Sequence, residues 1–406
     1  MRVLGIVAEY NPFHNGHKYH LDESKKMSGA DVSVAVMSGN FTQRGEPAVL
    51  SKWERARVAV DCGVDLVLEL PFIYACNTAE FFAGGAIRIL NGLSCVDVIS
   101  FGSESGDALE LSEAAGAISR ETPEFKKSLR ENIKGGASFP RARAEAVRHT
   151  IGSDAAELIT YPNNILATEY IRSLLASGSA IEPITVKRIG QGHSETKPDG
   201  HFSSASAIRN VMKSGGIDEV KGYLPDESYS RLKQLNKDIN EMINRMFILV
   251  AARIMTEREG DLEELLSAGE GLGNKIKKVI REAKSMEDLI TGVKSKRYTR
   301  TRIQRLITHA LLGFTAKGFY SASENGRHYA RVLAFNEKGA ALLKRIKKAG
   351  ADMPVLTNIN KQAFAGDKTD GILRYDILAS DLYNLISGND LREKSDFIVS
   401  PYHKFT

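Results

Sequence analysis

This sequence of 406 residues contains few cysteines, no long apolar run and little net charge. The three cysteines (Cys62, Cys76 and Cys95) are odd in number, lack the spacing of a metal site and lie in apolar stretches, so we interpret them as reduced core residues. No apolar run reaches the length of about 20 residues that spans a bilayer, and the short apolar run at the start does not fit a signal peptide. The formal net charge is only +5, which is compatible with an anionic partner without requiring one. We therefore expect a cytoplasmic globular protein with no membrane segment.

Strand-like and helix-like segments alternate through the first half of the chain. Strands are predicted at 2–8, 32–37, 65–70 and 95–101, and the segments between them have helical spacing. This alternation is typical of an α/β domain with a doubly wound parallel sheet. Such sheets bind ligands beyond the carboxyl ends of their strands, where the turns after His14, Ser38 and Gly102 are expected.

The remaining chain is expected to be mostly helical. A charged helical insertion is predicted at about 109–152, and a further strand at 181–189. Beyond residue 217 the pattern favours helices, with a long amphipathic stretch at 232–257 and a short strand at 353–359. The sequence thus predicts two domains: an α/β domain over residues 1–215, followed by a mainly α-helical basic region over 216–406.

The turn after the first strand combines two histidines with a glycine at a helix start. His14 and His17 are three residues apart, so their side chains project the same way, and both can donate hydrogen bonds to phosphate oxygens. Gly16 allows a nucleotide to lie against the backbone, where the helix dipole favours an anion. Two alternatives stay open: a surface histidine pair without a ligand, or a zinc site with His20 as a third ligand. No cysteine or carboxylate cluster accompanies the histidines.

Three further stretches have the composition of a binding site. Residues 38–47 form a long polar loop after the second strand, and Asn163 and Asn164 place two amides at a helix start. Residues 203–209 carry several hydroxyl groups and end in Arg209, a composition that suits a clamp over a polyphosphate. A serine N-cap would also explain these serines.

A basic segment lies in the second half. It contains six cations and a tyrosine in twelve residues, with no acidic residue: Lys294, Lys296, Arg297, Arg300, Arg302 and Arg305. A solvated helix face is one interpretation of this run. Contacts with the backbone of a nucleic acid are the other.

These stretches together resemble a known family. The string His14-Asn-Gly-His17 resembles the His-x-Gly-His signature of the nucleotidyltransferase superfamily, and residues 203–209 resemble its distal Ser-rich, Ile-Arg-ending signature. Over essentially the full length, the chain resembles the bacterial tRNA(Met) cytidine acetate ligases in these strings: Glu9-Tyr-Asn-Pro-Phe-His-Asn-Gly-His17, Met37-Ser-Gly-Asn-Phe41, Gln43-Arg-Gly-Glu-Pro-Ala48, Glu69-Leu-Pro71 and Pro162-Asn-Asn-Ile165.

The resemblance implies a fold and an activity. The first domain would be a Rossmann-like nucleotidyltransferase domain that binds ATP with Mg²⁺, and the basic region would bind tRNA(Met) through the six cations named above. The enzyme would form acetyladenylate from acetate and ATP and would acetylate the wobble cytidine of elongator tRNA(Met), giving N4-acetylcytidine. No metal site built from protein ligands is implied.

The resemblance also implies roles for individual residues. His14 and His17 would be catalytic. The ATP contacts would come from Val7, Ala8, Glu9, Tyr10, Asn11, Pro12, Phe13, His14, Asn15, Gly16, His17, Lys18, Tyr19, His20, Gly102, Asn163, Asn164, Arg188, Ser204, Ser206 and Arg209.

Several residues are candidates for the acetate pocket, and two other activities stay possible. A small carboxylate needs a cation or N–H donors, for which Gln43, Arg44 and Lys52 are candidates. A metabolite adenylyltransferase would share the histidine turn but would not need the basic half. A non-enzymatic RNA-binding factor would use the basic half alone.

Overall fold

One mixed sheet of eight strands organises the computed structural model, which describes residues 1–189, 202–258, 260–351, 353–359, 371–392 and 395–405. Its spatial order is β5-β4-β1-β2-β3-β6-β7, with β8 also beside β6. Strands β1 to β5 are mutually parallel, and β6 runs antiparallel to β3. The strands are β1 (Val3–Ala8), β2 (Val32–Ser38), β3 (Leu66–Leu70), β4 (Val98–Ser103), β5 (Glu182–Lys187), β6 (Ala330–Phe335), β7 (Val355–Leu356) and β8 (Tyr402–His403).

Both faces of the central strands are buried. Val32, Val34 and Val36 of β2 belong to the hydrophobic core on one face, whereas Ala35 and Met37 belong to the core on the other. Helices cover a sheet on both faces when its strands are continuously apolar, as these are. This doubly wound α/β arrangement confirms the predicted fold class.

Helices connect the strands and form most of the second half. The connecting helices include α1 (Asn15–Ser28), α2 (Lys52–Asp61), α3 (Phe72–Ala75), α4 (Ala79–Gly92) and α9 (Pro162–Ser177). The predicted insertion forms α5 (Ala108–Ser119), α6 (Pro123–Lys134), α7 (Phe139–Thr150) and α8 (Ser153–Leu158). Later helices are α10 (Ala205–Gly215), α11 (Asp226–Leu235), α12 (Ile239–Thr256), α13 (Leu272–Val279), α14 (Met286–Val293), α15 (Arg300–Leu312), α16 (Ala316–Asn325), α17 (Glu337–Lys348) and α18 (Ile372–Ser387), with 3-10 turns at Asp218–Tyr223 and Asp261–Glu264. Within the described ranges, every helix is too short or too polar to cross a membrane.

The second half differs from its predicted pattern in two places. The amphipathic stretch at 232–257 is not one helix, because Asn236 adopts a left-handed backbone (φ 40°) and Asp238 caps the new helix α12 by accepting hydrogen bonds from the N–H groups of Asn240 and Glu241. The mainly helical region also contributes β6, β7 and β8 to the sheet of the first half. The division into domains at residue 216 stays a prediction.

A buried ionic cluster joins the two halves. Lys52 Nζ lies 2.8 Å from Glu69 and 2.7 Å from Asp396, and all three side chains are buried. Arg331 on β6 lies opposite Glu69 on β3 and contacts it at 3.3 Å and Asp396 at 2.8 Å. Ser380 Oγ donates a further hydrogen bond to Asp396. Two buried cations thus neutralise two buried carboxylates, which is the condition under which buried charge is tolerated.

Removing one charge from this cluster should destabilise the fold. Asp396→Asn leaves Lys52 and Arg331 sharing one carboxylate, and we expect the free energy of unfolding to fall by about 3 kcal/mol. Urea denaturation followed by circular dichroism measures the change. Asp390→Asn, at an exposed position on the same C-terminal segment, is the matched control. A change below about 0.5 kcal/mol for Asp396→Asn would contradict the assigned role.

Candidate active site

A cavity of about 900 Å³ opens at the carboxyl ends of the parallel strands. Its walls include the segments that follow β1 and β2, the ends of β4 and β5, the start of α10 and part of α15. Ligands bind at this edge of doubly wound sheets because the strand ends leave a crevice there. The cavity is therefore the candidate active site.

The histidine turn forms one wall of this cavity. The rings of His14 and His17 stack with their centroids 3.7 Å apart, and Tyr10 packs edge-on against His17 at 5.0 Å. His17 Nδ1 accepts a hydrogen bond of 3.2 Å from the backbone N–H of His14. Since Nδ1 is the acceptor, the neutral ring carries its proton on Nε2. His17 is thus oriented as a hydrogen-bond donor.

Gly16 is confined by the same ring stack. A Cβ atom at this position would lie 2.9 Å from Cε1 of His14, closer than such atoms approach in folded proteins. His14 is the N-cap of α1, so the turn presents the positive end of the helix dipole. The turn therefore combines close backbone access with a field that favours an anion.

The three histidines of the turn are neutral. Burial, with Arg188 and Arg209, lowers the pKa of His14 to about 3, and burial with Arg188 lowers that of His20 to about 4. The pKa of His17 also lies well below its ordinary value, because of burial and the neighbouring His14 and Arg188. At neutral pH these rings offer N–H donors without charge, while the arginines supply the positive charge.

Arg209 links the serine-rich segment to the rest of the site. Its Nη1 donates to the carbonyl of Asn11 at 2.9 Å, and its Nη2 contacts Glu46 at 3.0 Å. Glu46 also accepts a hydrogen bond of 2.9 Å from Gln304 on α15. Although burial acts to raise the pKa of Glu46, Arg209 and other cations hold it below its ordinary value. The start of α10, the histidine turn and α15 are thereby held together.

Most of the residues assigned to ATP by resemblance line the cavity: Val7, Ala8, Glu9, Tyr10, Asn11, His14, Gly16, His17, Tyr19, His20, Gly102, Asn163, Arg188, Ser204, Ser206 and Arg209. Five lie outside its lining. Pro12 and Phe13 lie in the bend before the helix, where Phe13 packs in the core, and Asn15 donates to the carbonyl of Gly222. Lys18 forms an exposed ion pair with Asp22.

The fifth, Asn164, is buried behind the wall. Its Oδ1 accepts hydrogen bonds from the N–H groups of Glu104 and Ser105 at 2.9 and 3.3 Å. The Glu104 carboxylate in turn accepts from the backbone N–H groups of Asn163 and Asn164 and so caps α9. Asn164 therefore fixes the loop after β4, and Asn163 lines the cavity.

The six cations of the basic segment divide into two groups. Arg297, Arg302 and Arg305 line the cavity, whereas Lys294, Lys296 and Arg300 do not. Acidic residues from distant segments pair with several of these cations. Arg297 contacts Glu270, and Arg300 contacts Glu287.

The acetate candidates also divide. Gln43 and Arg44 line the cavity, but Lys52 does not, because its ammonium group is held in the buried ionic cluster. The lining residues that were not assigned to a site from the sequence include Phe139, Arg143 and Glu169. Glu46, which also lines the cavity, lies within the family-like string Gln43–Ala48, and that string could have identified it as a site residue.

The site offers few ligands for a metal. Across the ranges that the structure describes, no group of three or more His, Cys, Asp or Glu side chains is arranged to hold a metal ion. His20 Nε2 instead lies 3.2 Å from Ser100 Oγ. A zinc site at the histidine turn has no structural support.

Burial of neutral histidines makes stability depend on pH. The pKa of His20 is lower in the folded protein than in the unfolded chain. The contribution of the neutral ring to the free energy of unfolding is therefore complete above pH 6.5 and is lost as pH falls toward 4. Between pH 6.5 and 5 the free energy of unfolding falls by about 1.5 kcal/mol for this reason. We expect His20→Gln to flatten the pH dependence of unfolding in this window, measured by urea denaturation at half-unit steps. An unchanged slope would contradict the neutral assignment.

Comparison with known proteins places the chain in a family. The family model described as HIGH Nucleotidyl Transferase matches residues 1–396. A tRNA(Met) cytidine acetate ligase of Thermoanaerobacter sp. (strain X514) is 40% identical over 407 residues, covering 98% of each chain. The protein of the same name from Clostridium perfringens (strain ATCC 13124) is 38% identical over 410 residues, covering 99% of each.

Solved structures agree with this assignment over the whole chain. Apo Thermotoga maritima TmcAL (form I) matches with a TM-score of 0.92 and 34% identity, and each chain is covered completely. The same protein bound with alpha-thio ATP (form II) matches with a TM-score of 0.89, 33% identity and the same coverage. The chain therefore belongs to the HIGH nucleotidyltransferases and, among them, to the tRNA(Met) cytidine acetate ligase family.

Proposed function

We propose that this protein is an ATP-dependent ligase that acetylates the wobble cytidine of elongator tRNA(Met). One observation supports both halves of this reaction. A single cavity is lined by the histidine turn, which suits a nucleotide, and by Arg297 and Arg302 of the basic segment, which suit an RNA. ATP and the acceptor nucleotide can thus meet in one site.

The first step forms acetyladenylate. A carboxylate oxygen of acetate attacks the α-phosphorus of ATP, a new O–P bond forms, and the bond to the β-phosphate oxygen breaks as pyrophosphate leaves. No proton is transferred, so the site has only to position the reactants and stabilise charge. His14 and His17 are the proposed catalytic residues, with His17 Nε2–H directed as a donor to the phosphates. Arg188 and Arg209, with Ser204 and Ser206, would meet the polyphosphate.

The adenosine would pack against Gly16 and Gly102, which leave room for close approach because neither has a side chain. Asn163, whose Nδ2 donates to Glu104 at 2.6 Å, places its amide in the lining at the start of α9. Lys18 pairs with Asp22 and Asn15 donates to the carbonyl of Gly222. We therefore propose that these two residues support helix α1 and do not contact ATP.

Mg²⁺ is proposed as the cation that accompanies ATP. The described residues supply no cluster of ligands for it, which fits a metal bound chiefly by phosphate oxygens and water. Bound there, it would neutralise phosphate charge. The chain's own contribution is to hold the phosphates with the histidines and arginines.

The second step transfers the acetyl group. The N4 amine of the cytidine attacks the acetyl carbon, the bond between that carbon and the phosphate oxygen breaks, and AMP leaves while N4 loses a proton. The cytidine has to leave its stacked position to enter the cavity, as bases do when enzymes modify them. The tRNA backbone would be contacted by four cations of the basic segment: Lys294, Lys296, Arg297 and Arg300. A tRNA substrate also implies that the protein acts in the cytoplasm.

The reaction can be tested directly. We expect protein incubated with ATP, Mg²⁺, acetate and tRNA(Met) to add one acetyl group to a single cytidine, detected by mass spectrometry of nuclease fragments. Acetyl transfer from acetyl-CoA, but not from acetate with ATP, would contradict the adenylate mechanism. Turnover of ATP with a phosphate-bearing metabolite in the absence of tRNA would favour a metabolite adenylyltransferase.

A variant of the histidine turn is the internal control of that assay. His17→Asn keeps an oxygen that can accept the His14 N–H bond but removes the ring Nε2–H. We expect acetate-dependent pyrophosphate release to fall by about 10²-fold or more, while tRNA(Met) binding, measured by filter retention, stays unchanged. Retained activity would remove His17 from the site.

The exposed lysines of the basic segment supply a second prediction. Lys294 and Lys296 lie at the surface, and Lys294→Met with Lys296→Met should weaken tRNA(Met) binding. The slope of log affinity against log salt should become shallower by about one to two, because fewer counterions are released. An unchanged salt slope would indicate that these two lysines form only a solvated surface.

A further inference from the structure

Arg305 differs from the other two arginines of the basic segment that line the cavity, Arg297 and Arg302. Arg302 donates to the carbonyls of Ser267 and Ala268 at 3.2 and 2.8 Å, and Arg297 pairs with Glu270. Arg305 makes one long contact of 3.5 Å, from Nη1 to the carbonyl of Gln43. Among the described residues no ion pair joins it to a carboxylate, and its Nε is buried without a hydrogen-bond partner.

This unpaired charge is costly inside a protein. Burial lowers the pKa of the Arg305 guanidinium, and the nearby cations Arg302 and Arg44 lower it further. A guanidinium binds a carboxylate through parallel hydrogen bonds, and this pairing compensates the loss of water. The site around Arg305 therefore has the chemistry of a small-anion site.

The surroundings of Arg305 are fixed next to the histidine turn. The backbone N–H of Gln43 donates to Glu9 at 2.6 Å, and its side-chain Nε2 donates to the carbonyl of Asn77 at 2.8 Å. Glu9 begins the turn that leads to the histidines. An anion held by Arg305 would thus lie beside the segment that is proposed to bind the nucleotide.

The lining beyond Asn77 contains an apolar part. Ala79, Phe81 and Phe82 line the cavity together with the polar Thr78 and Glu80, and Phe82 is buried. A methyl group is accommodated by the apolar part of this wall, whereas a charged group placed against Phe81 and Phe82 would lose hydration. The ligand that fits is a small aliphatic carboxylate.

We propose that Arg305 binds the carboxylate of acetate inside the cavity, rather than the backbone of tRNA. This assignment rests on the proposed function. The Arg305 guanidinium would hold the carboxylate through its parallel hydrogen bonds, and a remaining lone pair on one carboxylate oxygen would attack the α-phosphorus, so that the new O–P bond forms as pyrophosphate leaves. Arg305 is only partly exposed and lines the cavity, in contrast to Lys294 and Lys296, which are exposed and lie outside its lining.

Acetate-dependent exchange of labelled pyrophosphate into ATP, measured without tRNA, tests the assignment. For Arg305→Met we expect the KM for acetate to rise by about tenfold or more, while the KM for ATP changes less than about twofold. Arg305→Lys keeps the charge but not the planar fork, so it should restore part of the acetate affinity. Arg281→Met, which removes an exposed arginine outside the cavity lining, should behave as the wild type.

Three other outcomes would overturn the assignment. An unchanged KM for acetate with weakened tRNA binding would return Arg305 to the RNA interface. A raised KM for ATP alone would make it a phosphate ligand. If Arg305→Met does not fold, an acetate KM for Arg305→Lys equal to that of the wild type would reject the assignment. Absence of acetate-dependent exchange in the wild-type protein would instead reject the proposed function itself.

Discussion

The guanidinium of Arg55 donates hydrogen bonds to backbone carbonyls of Glu9, Ser38, Gly39 and Leu50. These carbonyls follow the carboxyl ends of β1 and β2 and precede α2. Burial lowers the pKa of Arg55 to about 10, which still leaves it charged at neutral pH. Since a lysine cannot present donors in so many directions, the geometry requires arginine. The segments that follow β1 and β2 and contribute to the cavity wall are thus fixed by one side chain that does not itself line the cavity.

The site depends on arginines with different tasks. Arg209 is balanced by Glu46 and aligns structural segments, and Arg143 is balanced in part by Glu169. The histidines contribute no charge of their own, because burial keeps them neutral. Donors that are already oriented need no reorganisation when a nucleotide arrives, which is the physical basis of electrostatic preorganisation. Neutral donors and fixed cations together form a site matched to a polyphosphate.

Local patterns predicted the fold better than they predicted the partners of individual side chains. Periodicity located β1 to β5, and the histidine turn and residues 203–209 led to the cavity. Lys52 was a candidate for acetate because a small carboxylate needs a cation or N–H donors. Its partners Glu69 and Asp396 are distant in the sequence, so no local pattern reveals that it is buried. For the same reason, the basic segment, which contains no acidic residue, gave no indication that Glu270 and Glu287 pair with its arginines. The partners of these cations depend on contacts between residues far apart in the sequence, which local patterns do not predict.

The antiparallel pairing of β6 with β3 has a consequence for synthesis of the chain. Strand β3 is complete at Leu70, but the strand that covers its edge ends at Phe335. During translation, the first half therefore carries an open sheet edge, with Lys52 and Glu69 awaiting Arg331 and Asp396. Open edges and unpaired buried charges favour association with other chains. This edge of β3 stays open while the 260 positions that separate Leu70 from Ala330 are synthesised, and an open edge is where another chain can pair with the sheet.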